Sequence, residues 1–117
     1  MKLFSTKVHG VLDYATVALL PALPRVLGWD KNAILLFDTA ALGVLAYSLA
    51  TDYELGAVPV LSMPAHFRAD QAFAATMAGG AVTLKDSPTA ARVFCAGMAA
   101  FGLFASLATD EKPRSQR

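Results

Sequence analysis

The chain contains a polar pattern that occurs twice. A serine, a histidine and an aspartate follow one another at intervals of four residues, and the pattern recurs fifty-seven residues later: Ser5, His9 and Asp13, then Ser62, His66 and Asp70. The run Ser-Leu-Ala-Thr-Asp also occurs twice, at residues 48–52 and 106–110. Polar residues matched in both type and spacing rarely arise by chance, so we predict an internal repeat, 1–56 and 57–117, within a single domain.

Four apolar segments lie between these polar landmarks, at about residues 5–28, 32–51, 64–84 and 87–109. The second is about twenty residues long, which matches a hydrocarbon core of about 30 Å at about 1.5 Å per residue. Apolar residues make up 56% of the chain and charged residues 16%, whereas soluble domains average about 45–50% and about 25%. We therefore predict an all-α fold, a four-helix membrane bundle built from two tandem helical hairpins. The third segment is only weakly apolar, so a soluble four-helix bundle remains the alternative.

Local signals refine the helix ends. Ser5 or Thr6 is expected to cap the first helix, and the Ser87-Pro88 pair is typical of a cap and first turn for the fourth. Pro21 and Pro24 are expected to kink or loosen the far end of the first helix. Trp29, in the turn that follows, is expected to anchor at the membrane interface.

The order of crossings predicts the orientation of the halves. Each half crosses twice, so both enter with the same orientation and form a parallel repeat about an axis along the membrane normal. Basic residues near the side where the first and third helices begin are Lys2, Lys7, Arg68, Lys112, Arg114 and Arg117, against Arg25, Lys31 and Lys85 near the other. This bias predicts that both termini are cytoplasmic.

The repeated polar residues form a candidate site. A histidine and an aspartate four residues apart lie on one helix face, and the aspartates that end the returning helices reach the same membrane level. The predicted site comprises His9, Asp13, Asp52, His66, Asp70 and Asp110. Three interpretations remain open: a structural lock between the hairpins, a divalent metal site with His9 and His66 as ligands to Zn²⁺, Mn²⁺ or Fe²⁺, and a histidine site that exchanges protons or recognises a charged ligand.

A second polar pair is expected inside the membrane. Asp38 interrupts the second apolar segment, and a carboxylate there is costly unless it is paired or lines a wet cavity. Arg25 lies at a similar depth on the preceding helix, so we predict an Arg25–Asp38 ion pair. A role of Asp38 in a transport pathway is the alternative.

Other chemistries are disfavoured. No serine has the strand-turn-helix setting of a hydrolase nucleophile, and no glycine loop carries the lysine of a phosphate-binding motif. A net charge of +1 with dispersed basic residues argues against a nucleic-acid surface. The single cysteine, Cys95, forms no internal disulfide and suggests no cysteine metal site. His9 and Asp13 interrupt what resembles a signal-peptide core, so the first segment is expected to be retained.

Two runs resemble a known family. His-Gly-Val-Leu-Asp-Tyr at residues 9–14 and Leu-Pro-Arg-Val-Leu-Gly-Trp at 23–29 are similar to the small bacterial membrane proteins called SPW-repeat proteins. The Ser-Pro-Trp motif itself is replaced here by Leu-Pro-Arg at residues 23–25 and Ser-Pro-Thr at 87–89. The resemblance implies a four-helix protein of two hairpins in the bacterial inner membrane, and it implies no activity.

We therefore expect a small non-enzymatic integral membrane protein, with an accessory or partner-binding role. Its surroundings are membrane lipid, and its small surface suggests a homo-oligomer or a larger membrane complex. A small transporter or carrier with a polar site between the hairpins is the alternative.

Overall fold

The computed structural model describes residues 2–110, and this part of the chain contains four helices and no named strand. They are α1 (Thr6–Val26), α2 (Lys31–Leu49), α3 (Met63–Thr83) and α4 (Thr89–Ala108). The predicted all-α class and the number of helices are confirmed. The tail after Asp110, with Lys112, Arg114 and Arg117, lies outside the described residues.

The two repeated serines begin the odd-numbered helices. The Ser5 hydroxyl accepts a hydrogen bond from the Val8 N–H (3.2 Å), and the Ser62 hydroxyl accepts one from the Ala65 N–H (3.3 Å). Each side chain thereby satisfies one N–H group that has no partner within the helix. Since each histidine follows its capping serine by four residues, both histidines lie one turn inside their helices.

The helices form two hairpins. α1 packs along α2 and α3 packs along α4, while α2 and α3 join the pairs. α1 remains helical through Pro21 and ends at Val26. Gly28 then adopts a φ of +68°, a left-handed conformation that costs glycine little because it has no Cβ atom. The first hairpin therefore turns within four residues.

Trp29 lies inside the bundle and not at its surface. It is 8% exposed, and its ring meets those of Phe37 and Phe94 at centroid distances of 5.7 and 6.2 Å. The prediction of an interfacial anchor is wrong, because the turn folds back over the bundle and gives the indole apolar partners from α2 and α4.

Ser87 does not cap α4. That helix begins at Thr89 after Pro88, and no side chain caps its first turn. The Ser87 hydroxyl is buried beside Asp30 in the other hairpin's turn, and it makes no hydrogen bond to another described residue. The predicted cap is therefore wrong, because Ser87 faces the neighbouring turn.

The opposite end of the bundle is tied by two short backbone pairings. Phe4 pairs with Thr109, and Thr51 pairs with Leu61, each as a parallel bridge. The first pairing holds the end of α4 beside the start of α1, and the second holds the end of α2 beside the start of α3. All four helix ends on this side are thus fixed around the repeated polar residues.

Candidate functional site

A buried ring of four side chains lies at this tied end. α1 supplies His9 and Asp13, and α3 supplies His66 and Asp70. One nitrogen or oxygen atom from each residue lies within 4.8 Å of the corresponding atoms of the other three, and all four residues are buried. We call this group the His/Asp ring. It brings together four of the six residues predicted from the repeat.

The shortest contacts in the His/Asp ring join different hairpins. The Nε2 atom of His9 lies 2.9 Å from Oδ2 of Asp70, and Nε2 of His66 lies 3.0 Å from Oδ2 of Asp13. The contacts within each helix, four residues apart, are longer at 3.5 Å in both cases. The histidines therefore face the aspartates of the opposite hairpin more closely than those of their own helix.

Two threonines hold the other nitrogen of each ring. Nδ1 of His9 lies 2.8 Å from Oγ1 of Thr109, and Nδ1 of His66 lies 2.8 Å from Oγ1 of Thr51. Each threonine hydroxyl donates its hydrogen to a main-chain carbonyl four residues earlier. Since a hydroxyl has only one hydrogen, its oxygen must accept from the imidazole, and Nδ1 of each histidine is the protonated nitrogen.

Because Nδ1 carries the proton in both histidines, Nε2 is the ring nitrogen that remains available to bind a metal ion or a further proton. In a neutral imidazole protonated at Nδ1, Nε2 carries a lone pair, and here it faces carboxylate oxygens that also carry lone pairs. His66 is fully buried, and its Nε2 atom makes no hydrogen bond despite the nearby Asp13 oxygen. A buried polar atom without a partner is rare and costly, so the ring has unused binding capacity.

The carboxylates are oriented by hydroxyl groups. Asp70 accepts a hydrogen bond from the Tyr47 hydroxyl (2.7 Å), and Asp13 accepts one from Tyr53 (2.9 Å). The single hydrogen of the Ser106 hydroxyl is shared between Asp70 (3.1 Å) and the Gly102 carbonyl (3.0 Å). Burial, with the adjacent Asp13 charge, raises the pKa of the Tyr53 phenol. Tyr53 therefore stays a neutral donor and holds the Asp13 side chain in place.

The segment 50–62 covers the His/Asp ring at the end of the bundle. The Tyr14 hydroxyl donates to the Leu55 carbonyl (2.8 Å), and the Thr6 hydroxyl donates to the Glu54 carboxylate (2.6 Å). Gly10 lets the segment approach α1, since a Cβ atom there would lie 3.0 Å from a Leu55 methyl carbon. The ring is consequently shielded on this side by the link between the hairpins.

A cavity of about 20 Å³ adjoins the ring on its bundle side. His9, Asp13, Tyr47 and Asp70 line one part of it, and apolar side chains from all four helices, such as Phe73, line the rest. This volume accommodates about one water molecule. The site therefore has room for a single atom or ion with its water, and not for an organic substrate.

The remaining predicted site residues, Asp52 and Asp110, lie outside the His/Asp ring. Their main-chain N–H groups donate to Leu61 and Phe4 in the two backbone pairings. The residues just before them, Thr51 and Thr109, contact the histidines instead. The repeated Ser-Leu-Ala-Thr-Asp run correctly indicated that the ends of α2 and α4 lie near the histidines. It did not indicate that the threonine, and not the aspartate, contacts them.

The Arg25–Asp38 pair lies away from the ring, at the outer surface of the first hairpin. Two guanidinium nitrogens each donate to one carboxylate oxygen at 2.7 Å, and one of them also donates to the Pro21 carbonyl at 2.8 Å. The side chains are 51% and 34% exposed. This bidentate geometry is the strong form of an arginine–carboxylate contact.

The His/Asp ring offers two imidazole nitrogens and two carboxylates, a donor set that suits a divalent transition metal. The threonine bonds to Nδ1 are of the kind that orient metal-binding histidines. Without a metal, the same four residues form a buried ion-pair network. Comparison with protein-family models, with curated proteins and with solved structures finds no match to the chain, so its function is inferred from this geometry alone.

Proposed function

We propose that this chain is a small non-enzymatic integral membrane protein that holds one divalent metal ion between its two hairpins. The observation that carries the proposal is the position of the two Nε2 atoms. Each lies within 3.0 Å of a carboxylate oxygen from the other hairpin. That of His9 is hydrogen-bonded to Asp70, whereas that of His66 has no hydrogen-bond partner.

The distribution of polar and apolar side chains supports a membrane location. Exposed leucines and valines cover the outside of the bundle, for example Leu35, Leu42, Val93 and Leu107, which are 65–71% exposed. The bundle also buries the histidines and aspartates of the His/Asp ring, beside an apolar core that includes Leu20 and Phe37. A soluble bundle would instead turn polar helix faces outward, so the exposed aliphatic side chains favour lipid surroundings. α2 and α4 are also long and apolar enough to cross a membrane.

A metal ion satisfies the ring better than protons do. Two buried carboxylates require two positive charges nearby, which either one divalent ion or two protonated histidines supply. Protonation gives His9 a hydrogen bond to Asp70 but leaves the Nε2–H of His66 poorly aligned with Asp13, since no hydrogen bond forms there. One metal ion among the four residues would instead bind both Nε2 atoms and both carboxylates at once.

The spacing of the donor atoms also fits a metal. Tetrahedral bonds of about 2.0–2.1 Å place neighbouring ligand atoms about 3.3 Å apart. The nitrogen–oxygen separations of 2.9, 3.0, 3.5 and 3.5 Å, which involve both oxygens of Asp13, are close to that distance. One atom from each of the four residues lies within 4.8 Å of the others, so the donors would draw together around an ion. The mixed nitrogen and oxygen ligands favour Zn²⁺, Mn²⁺ or Fe²⁺ over softer or purely oxygen-seeking ions.

The matched contacts of the halves support a parallel hairpin repeat. Each half contributes a capping serine, a histidine bonded to a threonine of the other half, and a backbone pairing beside that threonine. With the excess of basic residues near this end, we propose that the ring lies at the cytoplasmic side of a bacterial inner membrane.

Transport is the less favoured function. A carrier that uses Asp38 requires a polar cavity extending from the site to that residue. The small cavity at the His/Asp ring does not include Asp38, which faces outward from the first hairpin. The geometry therefore favours a closed binding site over a pathway.

The test is the metal content of protein purified without a metal-affinity resin. We expect about one divalent ion per chain in the wild type and none in a His9→Ala/His66→Ala variant that remains helical. The control is Thr76→Ala, which removes a hydroxyl bonded only to its own helix and should retain the metal. Metal-free wild type, with a double variant that only melts earlier, would instead identify the ring as a structural lock.

A further inference from the structure

A groove of about 570 Å³ runs along the outer face of the first hairpin, between α1 and α2. Its walls are mainly small and aliphatic, including Ala18, Ala22 and Leu42, and the Arg25–Asp38 ion pair lies within it. We call this surface the α1–α2 groove. It is separate from the His/Asp ring and plays no part in the proposed metal site.

The ion pair joins Arg25, in the last turn of α1, to Asp38, which lies deeper along the apolar surface. Val26 and Leu27, which follow Arg25 toward the turn, are 80% and 54% exposed. Asp38 lies seven residues into α2, or about 10 Å at the helical rise. Charged groups at such a depth are normally in contact with protein or water. We therefore expect protein or water, and not lipid, to contact this ion pair.

The hydrogen-bonding capacity of the pair is only partly used. Arg25 has five N–H donors, of which three reach Pro21 and Asp38. Among residues 2–110, its Nε–H and one Nη2–H have no acceptor. The Asp38 carboxylate retains acceptor positions as well. The surface thus offers both donors and acceptors, with no net charge.

The second hairpin lacks this feature. In the repeat register predicted from the sequence, offsets of 57 and 58 residues place Val82 opposite Arg25 and Ala96 opposite Asp38. Both are apolar, and Val82 is 66% exposed, as expected of a surface that meets only lipid. The charged pair is therefore specific to the first hairpin's outer face.

We propose that the α1–α2 groove is the contact surface for a second copy of this chain. A surface that carries one cation and one anion side by side is complementary to itself across a two-fold axis. In the dimer, the free donors of each Arg25 meet the Asp38 carboxylate of the other copy. The small residues of the groove let the helices approach closely, as at other interfaces in membranes.

A second copy fits better than a lipid. An acyl chain would fill the groove but would leave the donors of Arg25 facing hydrocarbon. An anionic headgroup would be attracted by a net positive site, whereas this pair is neutral. Only a polar partner at the same depth satisfies both charged groups.

The experiment is cysteine cross-linking in native membranes, in a Cys95→Ala background. Leu42→Cys lies in the groove, and Val93→Cys on α4 is a matched control, since the two wild-type residues are 67% and 65% exposed. We expect a short thiol cross-linker to give dimers from Leu42→Cys and none from Val93→Cys. Equal yields from the two positions, or no dimer from either, would overturn the proposal.

Charge variants test the role of the ion pair in purified protein. Arg25→Gln should raise the dimer dissociation constant about tenfold, and the exchange Arg25→Asp/Asp38→Arg should restore it. The helical circular-dichroism signal of each variant reports whether the bundle is still folded. A dimer unchanged by Arg25→Gln, or a monomer that retains lipid in the groove, would show that no second copy binds there.

Discussion

Thr51 and Thr109 determine which nitrogen of each histidine faces the carboxylates. Their hydroxyl hydrogens are committed to main-chain carbonyls, so each oxygen accepts the Nδ1–H of a histidine. Replacing a threonine removes the acceptor but leaves the size of the side chain almost unchanged if valine is used. The two threonines thus provide a way to alter the imidazole without touching a proposed ligand.

Thr51→Val is expected to lower metal affinity about 10–100-fold, because His66 loses the bond that orients it. The unpaired Nδ1–H should also destabilise the bundle by about 1–3 kcal/mol. Thr51→Ser keeps the hydroxyl and should retain most of the affinity. Metal titration and thermal melting in detergent measure the two effects.

Thr76→Val is the control for that comparison. Its hydroxyl bonds only the Ala72 carbonyl on an exposed part of α3, so the substitution should leave metal binding unchanged. If Thr51→Val and Thr51→Ser bind metal equally well, the threonine does not orient the histidine.

The sequence predicted which residues form the His/Asp ring, but it did not predict which histidine contacts which aspartate. Spacing of four residues was enough to place each histidine and aspartate on one helix face. Which aspartate each histidine approaches depends on the angle at which the two hairpins pack. The spacing of residues within one helix carries no information about that angle. The outcome was that His9 meets Asp70 more closely than Asp13.

At the scale of elements, the segment 50–62 positions Thr51 as well as joining the hairpins. Its backbone folds back so that the Gly56 N–H donates to the Tyr53 carbonyl at 3.1 Å. A Cβ atom at Gly56 would overlap the main-chain oxygen of Thr51. The geometry of the site therefore depends on a glycine that is not part of the ring.

Gly56→Ala is expected to destabilise the protein by about 1–3 kcal/mol, since the main chain at Thr51 must move to accommodate a methyl group. It should also weaken metal binding through His66. Gly43→Ala is the matched control, because a Cβ atom there meets nothing within 4 Å, and a helical alanine is neutral or stabilising by up to about 1 kcal/mol. Similar melting temperatures for the two variants would contradict this role for the segment.

Helix positions were predicted from local chemistry, and the turns were not. The Ser5 cap depends on a hydrogen bond within one helical turn, and Ser5 is one of the two residues that the sequence indicated for the start of α1. Trp29 and Ser87 lie where two hairpins meet. The residues that surround them are distant in the sequence, so the local sequence does not predict these contacts.

At the scale of the molecule, the exposed aliphatic side chains allow a membrane bundle to be distinguished from a soluble one by experiment. In a membrane, Leu35 faces lipid, whereas Val58 in the segment 50–62 lies near the interface. In a soluble bundle both would face water, since they are 68% and 56% exposed.

A membrane-impermeant maleimide is therefore expected to label Val58→Cys and to leave Leu35→Cys unlabelled, with Cys95 replaced by alanine in both. Labelling of Val58→Cys should occur only when the cytoplasmic side is accessible. Denaturation in detergent should allow both cysteines to react and serves as the control. Equal labelling of both positions in membranes would favour the soluble four-helix bundle.

The His–Asp and His–Thr contacts shorter than 3.1 Å all run from one hairpin to the other. A solitary hairpin would therefore carry half a site, and two identical hairpins related by a two-fold axis would build a whole one. Joining two such hairpins in one polypeptide fixes their ratio at one to one and allows their sequences to differ. Under the proposed repeat, Arg25 and Asp38, which have Val82 and Ala96 as their counterparts, are one such difference.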